Sequence, residues 1–265
     1  GPGRVIHEPP IARREPSLGM LRSERRRSEP DLGYNRAMRH IPLAATLAGL
    51  RSAAAPVLPF DLRSGGVCVF DFTAANPALR QLGINDVAGF TEYLFERIAA
   101  AELPVGVGRY DEDRVLYRHS PLFDGDKERR SIHLGIDLFV VDGTEVSAPL
   151  PATVHSLADN AGLGDYGPTV ILEHDLEGLR FFSLYGHLSR STLARLGVGR
   201  KLAAGTPFAR VGDLHENGGW PPHLHLQVIA DLGGCCGDFP GVAAPSERAR
   251  FLELCPDPNL LLGIP

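Results

Sequence analysis

The sequence has few of the features that define several common protein classes. It contains four cysteines in 265 residues, none with C-x-x-C spacing. The adjacent pair, Cys235 and Cys236, could bridge each other only with strain. A disulfide framework and a cysteine-based zinc site are therefore not expected. No apolar run approaches the roughly 20 residues that a membrane-spanning helix needs, and no H-E-x-x-H motif is present.

The charge is unevenly distributed along the chain. The net charge is −5, yet residues 1–60 contain ten arginines and five acidic residues, so the remainder carries about −10. Residues 1–35 lack hydrophobic periodicity, which is typical of a solvated, disordered segment. We therefore predict a basic, flexible arm and linker over residues 1–60, without a nucleic-acid partner. Autoinhibition, with the arm occupying a cleft, stays open.

Residues 61–128 are predicted to form a small α/β accessory lobe. A strand is expected at Val67–Phe72. A helix is expected over about residues 86–101, capped by Asn85 or Asp86, because apolar residues recur there at helical spacing.

Residues 129–265 change to short β runs separated by Gly, Pro and Asp-Gly. They predict an antiparallel β-rich domain with a C-terminal extension, in which S-E-R-A-R-F-L-E-L-C forms a helix capped by Ser246. His174, in I-L-E-H-D, is expected at the surface near the end of a strand. The predicted fold class of the chain is α+β.

Two histidines in P-P-H-L-H-L-Q indicate a polar face on one strand. Side chains alternate along a strand, so His223 and His225 point one way while the intervening leucines enter a core. H-L-G-I-D adds His133 and Asp137, and Y-G-H-L adds His187.

These five residues have the composition of a zinc site with attached proton-handling groups. Catalytic zinc usually takes three protein ligands and keeps one position open for water. His133, Asp137 and His225 would supply the three, which leaves His187 and His223 for proton transfer and oxyanion stabilisation.

The order H-x-G-x-D, Y-G-H-L, H-x-H, together with glycines at positions such as Gly143, Gly205 and Gly212, resembles the M23 family of zinc endopeptidases. This lysostaphin- and LytM-like group cuts peptide bridges in bacterial peptidoglycan, and the resemblance covers roughly residues 131–230. It implies a LytM-like catalytic domain. It also implies zinc bound at the positions of His133, Asp137 and His225, with catalytic assistance at those of His187 and His223.

Two segments depart from the usual family pattern. W-P-P before H-x-H places Trp220 at the mouth of the expected cleft, where it would favour substrates with larger side chains over oligoglycine. Tyr185, His215 and also Tyr166 are further candidates for substrate contact. The C-terminal stretches C-G-D-F-P-G-V-A and C-P-D-P-N-L-L-L-G-I-P resemble M23-like segments found between kinase-like and aminotransferase-like domains in large bacterial polypeptides.

The predicted function is zinc-dependent hydrolysis of peptide bonds in peptidoglycan cross-links or related peptides. One alternative is an M23-like peptidase or amidase acting on a soluble cytoplasmic substrate. Two others are a non-haem iron oxygenase, since two histidines and a carboxylate also form its facial triad, and an inactive metal-bearing binding module.

The compartment stays open at the level of sequence. The stretch from Met38 resembles a weak signal peptide, but its short apolar core is interrupted by Arg51, so a short helix or linker is favoured. The small number of cysteines slightly favours a reducing compartment such as the cytoplasm. A leader removed upstream of Gly1 would instead place the protein in the cell envelope.

Overall fold

The computed structural model describes residues 43–80, 86–119, 121–125, 128–176 and 178–265. The predicted arm over residues 1–35 and the alternative cap Asn85 lie outside these residues. Within the described residues, the α-helices are α1 Leu43–Leu50, α2 Val87–Ala100, α3 Arg190–Arg195, α4 Arg248–Leu254 and α5 Asn259–Leu262. The strands in this part of the chain are β1 Val67–Phe70, β2 Val105–Gly108, β3 Ile132–His133, β4 Ile136–Phe139, β5 Glu145–Ser147, β6 Ala152–Asn160, β7 Gly167–Leu176, β8 Leu179–Gly186, β9 Lys201–Leu202, β10 Pro207–Arg210, β11 His223–Ile229 and β12 Val242–Ala243.

One large sheet organises the molecule. Its eight strands run in the order β1-β2-β4-β11-β8-β7-β6-β9. Only the β1–β2 pair is parallel, and all the other neighbours in this sheet are antiparallel. Two small antiparallel pairs, β5–β10 and β3–β12, complete the β structure. The predicted α+β class, with a mainly antiparallel β-rich domain, is confirmed.

The lobe before the catalytic segment is a β1-α2-β2 unit, as parallel strands require a crossover connection. Helix α2 begins after Asp86, whose carboxylate accepts a hydrogen bond from the Gly89 amide at 3.0 Å. The helix buries Phe90, Leu94 and Ile98 against the sheet. Strand β2 also pairs with β4, so the lobe and the following region share one sheet, and the lobe borders whatever lies on β4.

Strand β11 has two chemically different faces. Leu224 and Leu226 enter the main core together with Ile136 and Leu138 of the neighbouring strand β4. The alternation predicted from H-L-H-L is therefore what the backbone adopts. The histidines of β11 lie on the opposite face, where they line a cavity together with His133 of β3 and Val242 of β12.

Two local predictions were wrong. Ser246 does not cap the C-terminal helix: a 3-10 turn covers Pro245–Glu247, and the Ser246 amide donates to Glu128 Oε1 at 2.8 Å. His174 is buried on β7, because its ring stacks on Phe181 and its Nε2 lies 2.7 Å from Ser183 Oγ.

Within the part of the chain that the structure describes, no helix is long and apolar enough to cross a membrane.

Candidate metal centre

His133 and Asp137 reach the site from two consecutive short strands. His133 Nδ1 donates to the Arg109 carbonyl oxygen at 2.8 Å. Its Nε2 therefore has no proton and faces Asp137 Oδ1 at 3.3 Å. Gly135 separates them, and a Cβ at that position would lie 2.5 Å from His225 Cε1. The glycine of H-L-G-I-D is thus needed for the ring of the third ligand candidate to fit.

His225 lies opposite Asp137 in the β11–β4 register. Its Nδ1 is 3.0 Å from Asp137 Oδ1, and its Nε2 is 3.1 Å from Gln227 Oε1. The Gln227 amide nitrogen donates to the Pro240 carbonyl, which fixes the amide so that its oxygen faces the ring. His225 therefore carries its proton on Nε2 and leaves Nδ1 free for a metal. Metal-ligating histidines commonly donate their other ring N–H to an acceptor in this way.

The three free atoms form a compact donor triangle. His133 Nε2 lies 3.1 Å from His225 Nδ1, so all three sides measure 3.0–3.3 Å. Tetrahedral ligands 2.0–2.1 Å from zinc would be separated by ~3.4 Å. All three side chains are buried. Two imidazole nitrogens and one carboxylate oxygen at this spacing fit zinc.

His187 and His223 stand beside the triangle with one free nitrogen each. His187 Nδ1 donates to the Asn217 carbonyl at 2.8 Å, and His223 Nδ1 donates to the Pro221 carbonyl at 2.7 Å. Their rings are 4.1 Å apart, and His223 Nε2 lies 3.8 Å from Asp137 Oδ1. His187 has a φ of 61°, a left-handed conformation that is costly for a residue with a Cβ.

Burial keeps these groups in forms suited to metal binding and proton acceptance. Desolvation lowers the pKa of His133 to about 4, with a further contribution from the positive charge of Arg114. Burial likewise lowers the pKa of His187 and of His223. Burial alone would raise the pKa of Asp137, but the positive charge of Arg114 helps to hold it well below its usual range. At neutral pH, Asp137 is therefore ionised and these three histidines are neutral.

Arg114 is a residue of the site that the sequence reasoning missed. Its Nη1 donates to Asp137 Oδ2 at 2.5 Å, and its Nε donates to Glu112 Oε2 at 3.0 Å. Both partners are buried with it. Glu112 and Arg114 belong to the stretch E-D-R, in the lobe before β3. Nothing in that short stretch indicates that Arg114 will contact Asp137.

The candidate substrate residues separate into two groups. Trp220 lines the cavity above the histidines, as does Tyr166. Tyr185 does not reach it: the side chain is 0% exposed, packs edge-on against Phe208 and shares a face with the apolar core. His215 is exposed in the preceding loop and is not among the residues lining the cavity. The prediction that Tyr185 contacts substrate is therefore wrong, and its side chain belongs to the apolar core.

Comparisons with known proteins show similarity to metallopeptidases. Residues 131–233 match the model of peptidase family M23. A protein of Haemophilus influenzae named "Uncharacterized metalloprotease" is 30% identical over 198 residues, covering 72% of this chain and 37% of that protein. The chain therefore spans little more than a third of that relative's length. The match over residues 131–233 confirms the resemblance to the M23 family that the motif order predicts.

Solved structures show weaker similarity. The catalytic domain of lysostaphin from Staphylococcus simulans is 21% identical, covering 45% of this chain and 80% of that one, with a TM-score of 0.32. The catalytic domain of the prophage-encoded M23 protein EnpA from Enterococcus faecalis is 23% identical, covering 51% and 88%, with a TM-score of 0.34. A zinc-containing peptidase from Vibrio cholerae is 20% identical, covering 46% and 32%, also at 0.34.

Proposed function

We propose that the chain carries a zinc-dependent endopeptidase that hydrolyses peptide bonds in peptidoglycan cross-links or in related peptides. The observation that carries the proposal is the arrangement of His133, Asp137 and His225 as a donor triangle beside two further histidines with free Nε2 atoms. The M23 match and the metalloprotease name of the Haemophilus influenzae relative support it. An oxygenase built on a facial triad has no evident use for the two additional histidines.

Zinc would be held by the three atoms of the triangle. When bound there, it supplies Lewis-acid polarisation of a carbonyl group and a water of lowered pKa. Arg114 holds Asp137 Oδ2, so Asp137 offers Oδ1 to the metal. Gln227 and the Arg109 carbonyl oxygen fix the two histidine rings by accepting their other N–H protons.

His223 is the general base in this proposal. Its Nε2 is unprotonated, and it takes the proton of the attacking water as the water oxygen adds to the scissile carbonyl carbon. The imidazolium formed lies 3.8 Å from Asp137 Oδ1, which stabilises its charge. The same proton then passes to the leaving amine nitrogen as the C–N bond breaks. His187, 4.1 Å away between ring centres, is a second hydrogen-bonding partner for the reacting group.

The experiment compares two substrate classes with one protein. Zinc-loaded protein is incubated with cross-linked peptidoglycan fragments and, separately, with a soluble peptide library, and the products are identified by mass spectrometry. We expect metal-dependent mass changes of one added water per cleaved amide bond. Cleavage confined to the library would assign a soluble peptide or amide as substrate.

Matched variants make the outcome specific to this site. His223→Ala should slow cleavage by about 10²–10⁴-fold. His155→Ala should not, because His155 lies on β6 and is not among the cavity-lining residues. Metal analysis of the active preparation separates zinc from iron. A correctly folded, zinc-loaded protein that cleaves neither substrate class would favour the inactive binding module.

A further inference from the structure

Half of the cavity above the histidines is built from outside the M23 match. Leu116, Tyr117, Leu122 and Phe123 come from the lobe, and Val242 comes from β12. The rings of Tyr117 and Phe123 lie 4.3 Å apart between centres. The hydroxyl of Tyr117 accepts a hydrogen bond from Arg114 at 3.2 Å, which holds its polar end beside that guanidinium. What this half offers the cavity is an apolar, largely aromatic wall.

Trp220 joins this wall to the catalytic half. Its ring centre lies 6.2 Å from Tyr117 on one side and 6.2 Å from His187 on the other. The backbone of Trp220 is fixed by Asn217, whose side chain pairs with both the amide and the carbonyl of Trp220. The carbonyl of the same Asn217 accepts from His187. Asn217 therefore connects the backbone of Trp220 directly to the His187 ring.

The indole N–H of Trp220 has no hydrogen-bond partner within the part of the chain that the structure describes. Trp220 is 8% exposed, and its Nε1 is buried without an acceptor among the residues that the structure describes. Buried donors of this kind are rare in folded proteins and call for an explanation. A tryptophan nitrogen only donates, so the missing partner is an acceptor such as a carbonyl oxygen.

The charged groups around the cavity do not favour a charged ligand. Arg114 is paired with Glu112 and Asp137, Arg130 donates to the Leu122 carbonyl, and Asp165 Oδ1 accepts from the Tyr166 amide at 2.7 Å. Each of these three side chains has a partner within the protein. Away from the histidines, Phe123, Trp220 and Val242 give the cavity an apolar surface that carries the unpartnered N–H of Trp220.

We propose that Tyr117, Phe123, Trp220 and Val242 form a substrate pocket for an uncharged apolar side chain next to the scissile bond. In this pocket the Trp220 N–H donates to a backbone carbonyl oxygen of the same substrate. The inference rests on the proposed peptidase function, since it places the pocket beside the reacting atoms. Its substrate class is a peptide with an apolar residue flanking the cleaved bond, and oligoglycine would leave the wall uncovered.

Binding can be tested separately from cleavage. Trp220 is the only tryptophan in the sequence, so intrinsic fluorescence reports on this pocket. Zinc-loaded protein is titrated with N-acetyl-leucinamide, N-acetyl-glycinamide and N-acetyl-lysinamide. We expect the leucine compound to bind at least about 10-fold more tightly than the glycine compound, as an apolar pocket gains from added methylene groups. Equal affinity for all three, or no fluorescence response, would overturn the proposal.

Variants localise the effect. Phe123→Ala and the milder Val242→Ala should each reduce the leucine-to-glycine ratio, with zinc content and melting temperature checked. Val198→Ala should leave the ratio unchanged, because Val198 is an exposed residue outside the cavity. If neither pocket variant changes the ratio while both retain zinc, the ligand binds elsewhere and the pocket assignment fails.

Cleavage tests the hydrogen bond. Trp220→Phe keeps a ring but removes the N–H, so cleavage of apolar library peptides should fall by about 3- to 10-fold at unchanged zinc content. An unchanged rate would overturn the role of the N–H. If no peptide is cleaved yet fluorescence still distinguishes leucine from glycine, the peptidase function fails and the pocket stands.

Discussion

Arg114 Nη1 donates to Asp137 Oδ2 at 2.5 Å, so a residue of the N-terminal lobe holds one oxygen of the acidic metal-ligand candidate. Asp137 Oδ1 is thereby left facing His133 and His225. Arg114 is itself held by Glu112 and by the Arg109 carbonyl oxygen. Since Arg114 precedes the M23 match at residues 131–233, the geometry of the donor triangle depends on a segment outside that match.

We predict that Arg114→Lys weakens zinc binding by about 10- to 100-fold, because partners that orient metal ligands typically contribute that much to affinity. Lysine keeps the positive charge but not the planar fork of donors that contacts Asp137 and Glu112 together. Competition with a chelator of known affinity measures the change. Arg109→Lys is the control, since the Arg109 contact to His133 comes from its backbone oxygen and survives the substitution.

The distinction between ligand and base predicts different losses at two neighbouring histidines. His225→Ala should lose most bound zinc, because its Nδ1 is one corner of the triangle. His223→Ala should keep zinc but lose about 10²–10⁴ in rate, the usual contribution of a general base. Metal content per protein and turnover are measured on the same preparations. Equal zinc loss from both variants would contradict the assigned roles.

Gln227 is predicted to set the tautomer of His225. Gln227→Leu removes the acceptor for the His225 Nε2 proton, so zinc affinity should fall by about 10- to 100-fold. Gln227→Glu keeps an acceptor there and should retain affinity. Gln227→Glu loses the side-chain N–H that donates to the Pro240 carbonyl oxygen, so the free energy of unfolding should fall instead. Zinc affinity and urea unfolding of both variants distinguish these effects. Similar zinc affinities for the two variants would show that the tautomer is not set by Gln227.

Much of the donor triangle could be predicted from short-range patterns in the sequence. The alternation in H-L-H-L puts His223 and His225 on one face whatever the rest of the fold, and Gly135 between His133 and Asp137 reflects a close contact that a side chain would block. Helix α2 followed from helical spacing and from the Asp86 cap. These features depend on local geometry, which the sequence encodes directly.

Features that depend on register or on distant pairing did not follow. Tyr185 pairs with Leu226 across β8 and β11, which turns it to the core face, and that register is not visible in Y-G-H-L alone. Arg114 and Asp137 are 23 positions apart in the sequence. The β2–β4 pairing, which places Gly108 opposite Asp137, brings the segment after β2 close to Asp137. His174 was misjudged because its buried partners, Ser183 and the Pro151 carbonyl, come from elsewhere in the chain.

His174 makes a prediction about pH that is independent of the metal site. Its ring is buried on β7 between Phe181 and two hydrogen-bonding partners. Burial lowers its pKa from 6.5 to about 4 in the folded protein. Between these values the unfolded chain binds a proton that the folded chain does not, so His174 contributes stability above about pH 6.5 that is lost progressively as pH falls toward 4.

We therefore expect His174→Gln to flatten the pH dependence of stability, by at most ~1.4 kcal/mol per pH unit within that window. The free energy of unfolding is measured in urea on chelator-treated protein, because zinc binding is itself pH-dependent. The other buried histidines, including His133, are present in both proteins, so the difference between the two curves isolates His174. The variant should be less stable than wild type at about pH 7.5, where the hydrogen bonds are lost without relief, and this deficit should shrink by about pH 5. A deficit that is the same at both pH values would show that His174 takes up its proton equally in the folded and unfolded states.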